Sequence, residues 1–260
     1  MSCTQNFRVV RSCDFFEEFE HISMKKTCAL LVVTGLVSIH AVQAGDISGT
    51  VTLKGTPPPE KEIPQIKDDP NCGKLHTEAV KTRFYVVGAN NGLGDVFVTL
   101  KGISGKSTGP SAPPAMIDQK GCEYQPYILA VQTGQKILVK NSDPVLHNIH
   151  PTPTAPGNKE ENKAQMPNGP DLTFSFPSPE IFLRIKCDVH PWMFSYVCVV
   201  DNPYIAVTDK DGKYTLKNVP DGKYTMEFYH RKAAPTASPA TAEVEVKGGS
   251  VTKDVALDAK

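Results

Sequence analysis

Cys187-Asp188-Val189-His190-Pro191-Trp192-Met193 sets a thiol, an imidazole and a thioether within one short stretch, in the spacing C-x2-H-x2-M. Just upstream, Ile181, Leu183 and Ile185 alternate with Phe182, Arg184 and Lys186, the two-residue period of a half-buried strand. Cys187 continues the apolar parity, so its sulfur is expected to point inward where that strand ends. His190 and Met193 then lie on the following turn. Further upstream, Asn141-Ser142-Asp143-Pro144-Val145-Leu146-His147-Asn148 brings a second imidazole on another loop.

Two imidazoles, one thiolate and a weak thioether are the donor set of a mononuclear blue-copper site. Soft sulfur suits Cu(I), imidazole suits both oxidation states, and a constrained trigonal set lets the metal cycle with little rearrangement. A C-x2-H pair alone also fits half of a zinc site. Methionine is a poor zinc ligand, however, and a second C-x2-C or an H-x3-H is missing.

The stretch resembles the ligand loop of cupredoxins, and its short C-x2-H-P-aromatic-M form is most similar to the amicyanin branch. His147-Asn148, after a strand ending in Asn141, is similar to the upstream His-Asn of plastocyanins and azurins. The resemblance covers roughly residues 83–200. It implies a Greek-key β-sandwich holding one copper ion that cycles between Cu(I) and Cu(II), with His147, Cys187 and His190 as ligands and Met193 as the weak axial one. Asn148 is implied to tie the two ligand loops together by hydrogen bonds. The His190 edge is implied to lie exposed in an apolar patch where redox protein partners dock, with Pro191, Trp192 and Pro144 around it. Trp192, the single tryptophan, fits a loop-packing role equally well. On an alternating strand His150 faces away from His147, so it is not expected to ligate. His76 and His230 have no neighbours of metal-site type.

The tail, residues 201–260, reads differently. Asp211-Gly212-Lys213-Tyr214-Thr215 and Asp221-Gly222-Lys223-Tyr224-Thr225 repeat the same five residues, each a turn followed by a strand. With Thr208-Asp209 before and Val219-Pro220 between, the pattern resembles the carboxypeptidase regulatory-like domain, a small prealbumin-type sandwich. The resemblance implies a structural or interaction module without catalytic residues. That family opens with a Gly-x-Val strand such as Gly49-Thr50-Val51, so residues 46–56 are candidates to complete the tail sandwich.

No stretch shows a sustained helical period, and short strands alternate with Gly/Pro turns. An all-β protein is expected: a cupredoxin-like Greek-key β-sandwich plus a small prealbumin-like β-sandwich. Residues 83–87 and 95–100 read as a hairpin, 128–131 and 136–140 as a strand–turn–strand, and 102–118 as a surface loop. Residues 45–82 read as an N-terminal strand followed by a polar, irregular linker.

Met24-Lys25-Lys26 followed by the apolar run 29–37 and by Val42-Gln43-Ala44 reads as a signal peptide, residues 24–44, cleaved before Gly45. The run is too short for a comfortable membrane span. Residues 1–23 are expected to be an over-extended gene start. The exported part is then placed in the periplasm or an equivalent oxidising compartment, where disulfides are permitted. Cys72 and Cys122, both in polar, turn-like surroundings, are expected to pair, and Cys198 to be a buried free thiol. Basic and acidic residues balance at 28 each, which argues against a nucleic-acid partner.

No Gly-rich phosphate loop, Ser/His/Asp order or paired acid motif stands out, so enzyme activity is not expected. The expected function is single-electron transfer between periplasmic partners. The alternatives are a copper carrier or buffer without redox cycling, and a structural envelope module.

Overall fold

The computed structural model describes residues 43–233 and 238–260. The proposed early gene start, residues 1–23, and nearly all of the signal segment lie outside them. Ala44, the residue before the expected cleavage, opens the first strand.

The protein is all-β, with four sheets separated by three apolar clusters. In the first sheet, Lys213–Pro220 runs antiparallel to Ala44–Lys54, while Val251–Thr252 and Val255–Asp258 lie parallel to it. The second orders Ile205–Val207, Phe97–Leu100, Gly222–Tyr229 and Ala240–Val246. Ile47, Val51, Leu53 and Leu216 of the first sheet pack on Val98, Leu100, Met226 and Phe228 of the second. The strand at 44–54 thus completes the tail sandwich.

The third sheet orders Ile128–Gln132, Phe194–Val200, Glu180–Lys186, His147–Thr152 and Lys163–Gln165. The fourth orders Tyr124–Gln125, Ala115–Gln119, Ile137–Asn141 and Leu172–Phe174. Ile149, Leu183, Ile185 and Val197 of the third meet Ile117, Val139 and Phe174 of the fourth. The middle cluster joins the two sandwiches: Phe97 and the partly buried Ile205 and Tyr229 meet Tyr196, Cys198 and Val200. Phe194–Val200 is therefore covered on both faces, as its near-continuous apolar sequence requires. Cys198 is a free, buried thiol, pushed up to about 12 by that burial.

Three local expectations change. The hairpin over 83–100 is reduced to one bridge, Val87 to Leu93, and Phe97–Leu100 pairs instead with Ile205–Val207 and Gly222–Tyr229. This strand is apolar on both faces, and only a central position buries both. The strands at 128–132 and 137–141 are not partners. Each pairs in parallel within a different sheet, with Phe194–Val200 and Ala115–Gln119 respectively, and Gly134 at φ +75° turns the chain between them. The loop expected over 102–118 ends in the strand Ala115–Gln119, and the linker holds a one-turn helix, Pro64–Asp68, and a 3-10 turn, Cys72–Leu75.

The strand before Cys187 carries a bulge. Its register shifts between Glu180 and Leu183, with Phe182 at φ +60°. Ile181 and Phe182 therefore join the middle cluster, while Leu183, Ile185 and Cys187 share the core of the third and fourth sheets.

Candidate metal centre

Cys187 follows the last residue of Glu180–Lys186, and His147 is the first of His147–Thr152. The two strands are antiparallel neighbours, with Lys186 opposite His150, so both loops open at one end of the same sheet. The Cys187 N–H donates to the Met193 carbonyl at 3.0 Å, and the Met193 N–H donates to the His190 carbonyl at 2.9 Å. These bonds close the seven-residue loop upon itself and turn His190 back toward Cys187.

The structure brings His147, Cys187 and His190 into one buried cluster, 0%, 3% and 6% exposed. His147 Nδ1 and His190 Nδ1 are 3.0 Å apart, and Cys187 Sγ is 3.7 Å from His190 Nδ1. His147 Nε2 lies 2.9 Å from Asp143 Oδ2. An ionised carboxylate only accepts, so it holds the ring proton on Nε2 and leaves Nδ1 with a free lone pair. Two lone-pair nitrogens that close repel unless a proton or a cation lies between them. Metal–nitrogen bonds of roughly 2 Å fit that separation, and a thiolate supplies the third donor. The residues present therefore fit a soft or borderline metal ion.

Asp143 is the functional residue that the sequence did not single out. Its carboxylate accepts the Gly121 and Cys122 N–H groups at 2.6 and 2.7 Å, and its own N–H donates to Asn141 Oδ1 at 3.0 Å. The one available signal was an aspartate four residues before the histidine. Asn148 bridges the loops: its Oδ1 accepts the Asp188 N–H at 2.8 Å and lies 3.2 Å from Cys187 Sγ.

The electrostatics set where protons sit in the metal-free cluster, and a bound cation would displace the one between the rings. Burial opposes charge on His147, yet its bonds to Asp143 and Cys187 raise its pKa above the usual imidazole value. Burial likewise opposes the Cys187 thiolate, but His147 and the N–H groups of Asn148, His190 and Val189 draw its pKa below that of an ordinary thiol. His190 is moved the other way, by its own burial and by the charge on His147, and so stays a neutral donor. Asp143 remains well ionised: burial is outweighed by His147 and the two backbone donors.

Met193 is 1% exposed and packs in the cluster that contains Cys187. Trp192 lies with its ring centroid 5.2 Å from that of His190 and donates its Nε1–H to the Cys122 carbonyl at 3.3 Å. Cys72 and Cys122 form a disulfide, and its sulfurs lie within 4.8 Å of a His190 ring nitrogen. Ile66, Ile63, Val80 and Val145 pack around that disulfide together with Trp192. The exposed His190 edge implied by the resemblance is therefore covered, because the segment at 63–80 is bolted across it. Pro191 and Val189 remain exposed beside it.

The other described histidines stay out of the cluster. His150 spends both ring nitrogens on carboxylates, Asp188 and Glu160, each at 2.7 Å. His76 Nε2 pairs with the Gly121 carbonyl at 2.7 Å, and His230 Nδ1 accepts the Ala233 N–H at 2.8 Å. Among the described residues, no helix is long and apolar enough to cross a membrane.

No protein-family model and no curated protein sequence matches the chain. Solved structures do. A Cu-containing nitrite reductase from Thermus scotoductus SA-01 aligns at 18% identity and TM-score 0.30, over 34% of this chain and 22% of its own. A mutant of amicyanin in the Cu(I) form aligns at 17% identity and TM-score 0.30, over 39% of this chain and 97% of its own. A purple cupredoxin from Nitrosopumilus maritimus aligns at 23% identity and TM-score 0.27, over 33% and 98%. The chain thus spans about a fifth of the reductase. What makes the cluster a candidate metal centre is its own donor set.

Proposed function

We propose that the chain is an exported type 1 copper protein that carries single electrons between periplasmic redox partners. The observation that carries this is the convergence of two imidazole Nδ1 atoms and one thiol sulfur in a buried pocket, with the proton of one ring held on the far nitrogen. His147, Cys187 and His190 would hold the ion and Met193 would serve as the weak axial ligand. A bound copper would supply a one-electron couple tuned by thiolate and thioether.

The protein's own part is rigidity. Asp143 fixes the His147 ring, Asn148 pins the loop that carries Cys187, and the disulfide-bolted segment shuts water from His190. Such outer contacts hold ligands in place when the metal changes charge. Partners are proposed to dock at the exposed Pro191 and Val189 next to the Trp192 ring. The tail sandwich is proposed as a prealbumin-like structural or interaction module. A copper carrier without redox cycling is the rival reading, and a ligand sealed beneath a disulfide suits ready release poorly.

The test is titration of metal-free protein with Cu(II), recording visible absorption and EPR. We expect one copper per chain, an intense thiolate-to-copper band and a narrow copper hyperfine splitting, with the band lost in Cys187→Ser. A pale spectrum that survives that substitution would remove the electron-carrier reading.

A further inference from the structure

A cavity of about 220 Å³ opens beside Trp192, Met193 and Phe194 and is not used by the proposed function. Phe84, Tyr124, Tyr127, Trp192 and Phe194 wall it, and Met193 lies among them. The walls are connected to the metal loops. Tyr124 donates its hydroxyl proton to the carbonyl oxygens of Asn148 and Lys186, at 2.5 and 3.0 Å, and Trp192 lies against His190.

Three charged groups, Lys81, Arg83 and Glu123, line the cavity. Arg83 stands 5.5 Å from the Tyr127 ring centroid, but its charge is matched by Asp95 at 3.1 Å. Glu123 also lines the space, and among the described residues its carboxylate has no hydrogen-bond partner. Burial raises its pKa, the direction expected of a carboxylate deprived of a donor. A dry cavity of about 150 Å³ holds one benzene ring, so this one has room for a ring and one polar substituent.

We propose that the cavity is a binding site for a small, neutral, single-ring phenol, whose ring lies among the aromatic walls against Met193 and Trp192 and whose hydroxyl donates to the Glu123 carboxylate. Neutrality follows from the balance of charges at the lining: Lys81 and Arg83 are offset by Glu123 and by the Asp95 carboxylate paired with Arg83, so neither sign is favoured. Aromatic walls with one convergent polar group are the usual make-up of a small-molecule site. The thioether and indole give the ring sulfur and edge contacts. The inference does not require copper, since none of these groups except Met193 belongs to the proposed ligand set.

The experiment uses the full chain without metal and para-fluorophenol as the probe, followed by fluorine NMR and by the fluorescence of Trp192. Saturable binding is expected, about tenfold tighter than for fluorobenzene or for para-fluorobenzoate, the scale of one hydrogen bond to a charged acceptor. Glu123→Gln should weaken the phenol about tenfold and leave fluorobenzene unchanged. Ile63→Trp, which puts a larger side chain into the lining, should abolish binding of both while the far-UV spectrum stays that of the folded parent. Equal or tighter binding of the benzoate would overturn the proposal in favour of anion recognition by Arg83 and Lys81. Absence of saturation, or binding undiminished in Ile63→Trp, would overturn it outright. Neither result would alter the copper titration above.

Discussion

His147 in the sandwich of the third and fourth sheets and His230, just after the tail strand Gly222–Tyr229, are both buried imidazoles, 0% and 6% exposed, and they have been given opposite chemistry. The neighbour of His147 is a carboxylate, which fixes the proton on Nε2 and leaves the Nδ1 lone pair facing two other donors. The neighbours of His230 are the N–H groups of Lys232 and Ala233, which consume the Nδ1 lone pair. Burial and the nearby Arg231 hold its pKa down to about 4. A buried histidine is available to a metal when an acceptor claims its far nitrogen, and unavailable when backbone donors claim its near one. Burial alone does not distinguish them.

The largest expected effect breaks the pair apart. His147→Ala should abolish the copper-dependent absorption, whereas His230→Asn, which keeps an acceptor for the same N–H groups, should leave the full spectrum and stoichiometry intact.

Next comes the cover on His190. Replacing Cys72 and Cys122 by serine removes a cross-link spanning 50 residues and should cost roughly 2–4 kcal/mol in denaturant unfolding. It should also speed copper extraction by a chelator. An unchanged extraction rate would show that the disulfide does not seal the site.

The pH response then separates the two imidazoles. His230 is neutral when folded, but the unfolded chain binds a proton below about pH 6.5. Its contribution, about 3 kcal/mol, is complete above pH 6.5 and is lost as pH falls toward 4. The unfolding free energy of metal-free His230→Asn should fall less steeply across that window than that of the parent. Equal slopes would contradict the assignment.

The smallest effect is Asp143→Asn. The amide can donate to Nε2 and so favour the wrong ring tautomer, and outer partners of metal-bound histidines are worth about 10–100-fold in affinity. Competition with a chelator should show a loss of that size with the spectrum retained.

The metal loop was legible because its signal is local: seven residues carry three donor types, and the parity from Leu183 to Cys187 aims the sulfur inward. All-β character and the tail strands were legible for the same reason, through short-range alternation and the repeated Asp-Gly-Lys-Tyr-Thr. What escaped depends on distance or on exceptions to period. Phe97–Leu100 finds partners more than a hundred residues away, and the bulge at Phe182 breaks the parity that assigned Ile181 to the wrong face. Asp143 had only a spacing to announce it, and its role appears once the Gly121-Cys122 turn is brought against it. The cover on His190 is invisible to a motif, since it comes from a polar stretch with no ligands of its own.

The pairing of Ala44–Lys54 with strands near the other end of the chain has a consequence for assembly. Lys54 meets Asp258 and Ala44 meets Pro220, so the outer sandwich is a clasp closed by strands about two hundred residues apart in the chain. The strands of the inner sandwich, from 115 to 200, are contiguous and can collapse while the rest of the chain is still emerging. Closing the clasp must await the final strands, and its long-range contacts make it the slower step. With the inner sandwich already formed, the ends to be joined are held much closer than a free chain of that length would keep them. The half that carries the cysteine–histidine cluster thus acts as the template on which the other half is finished.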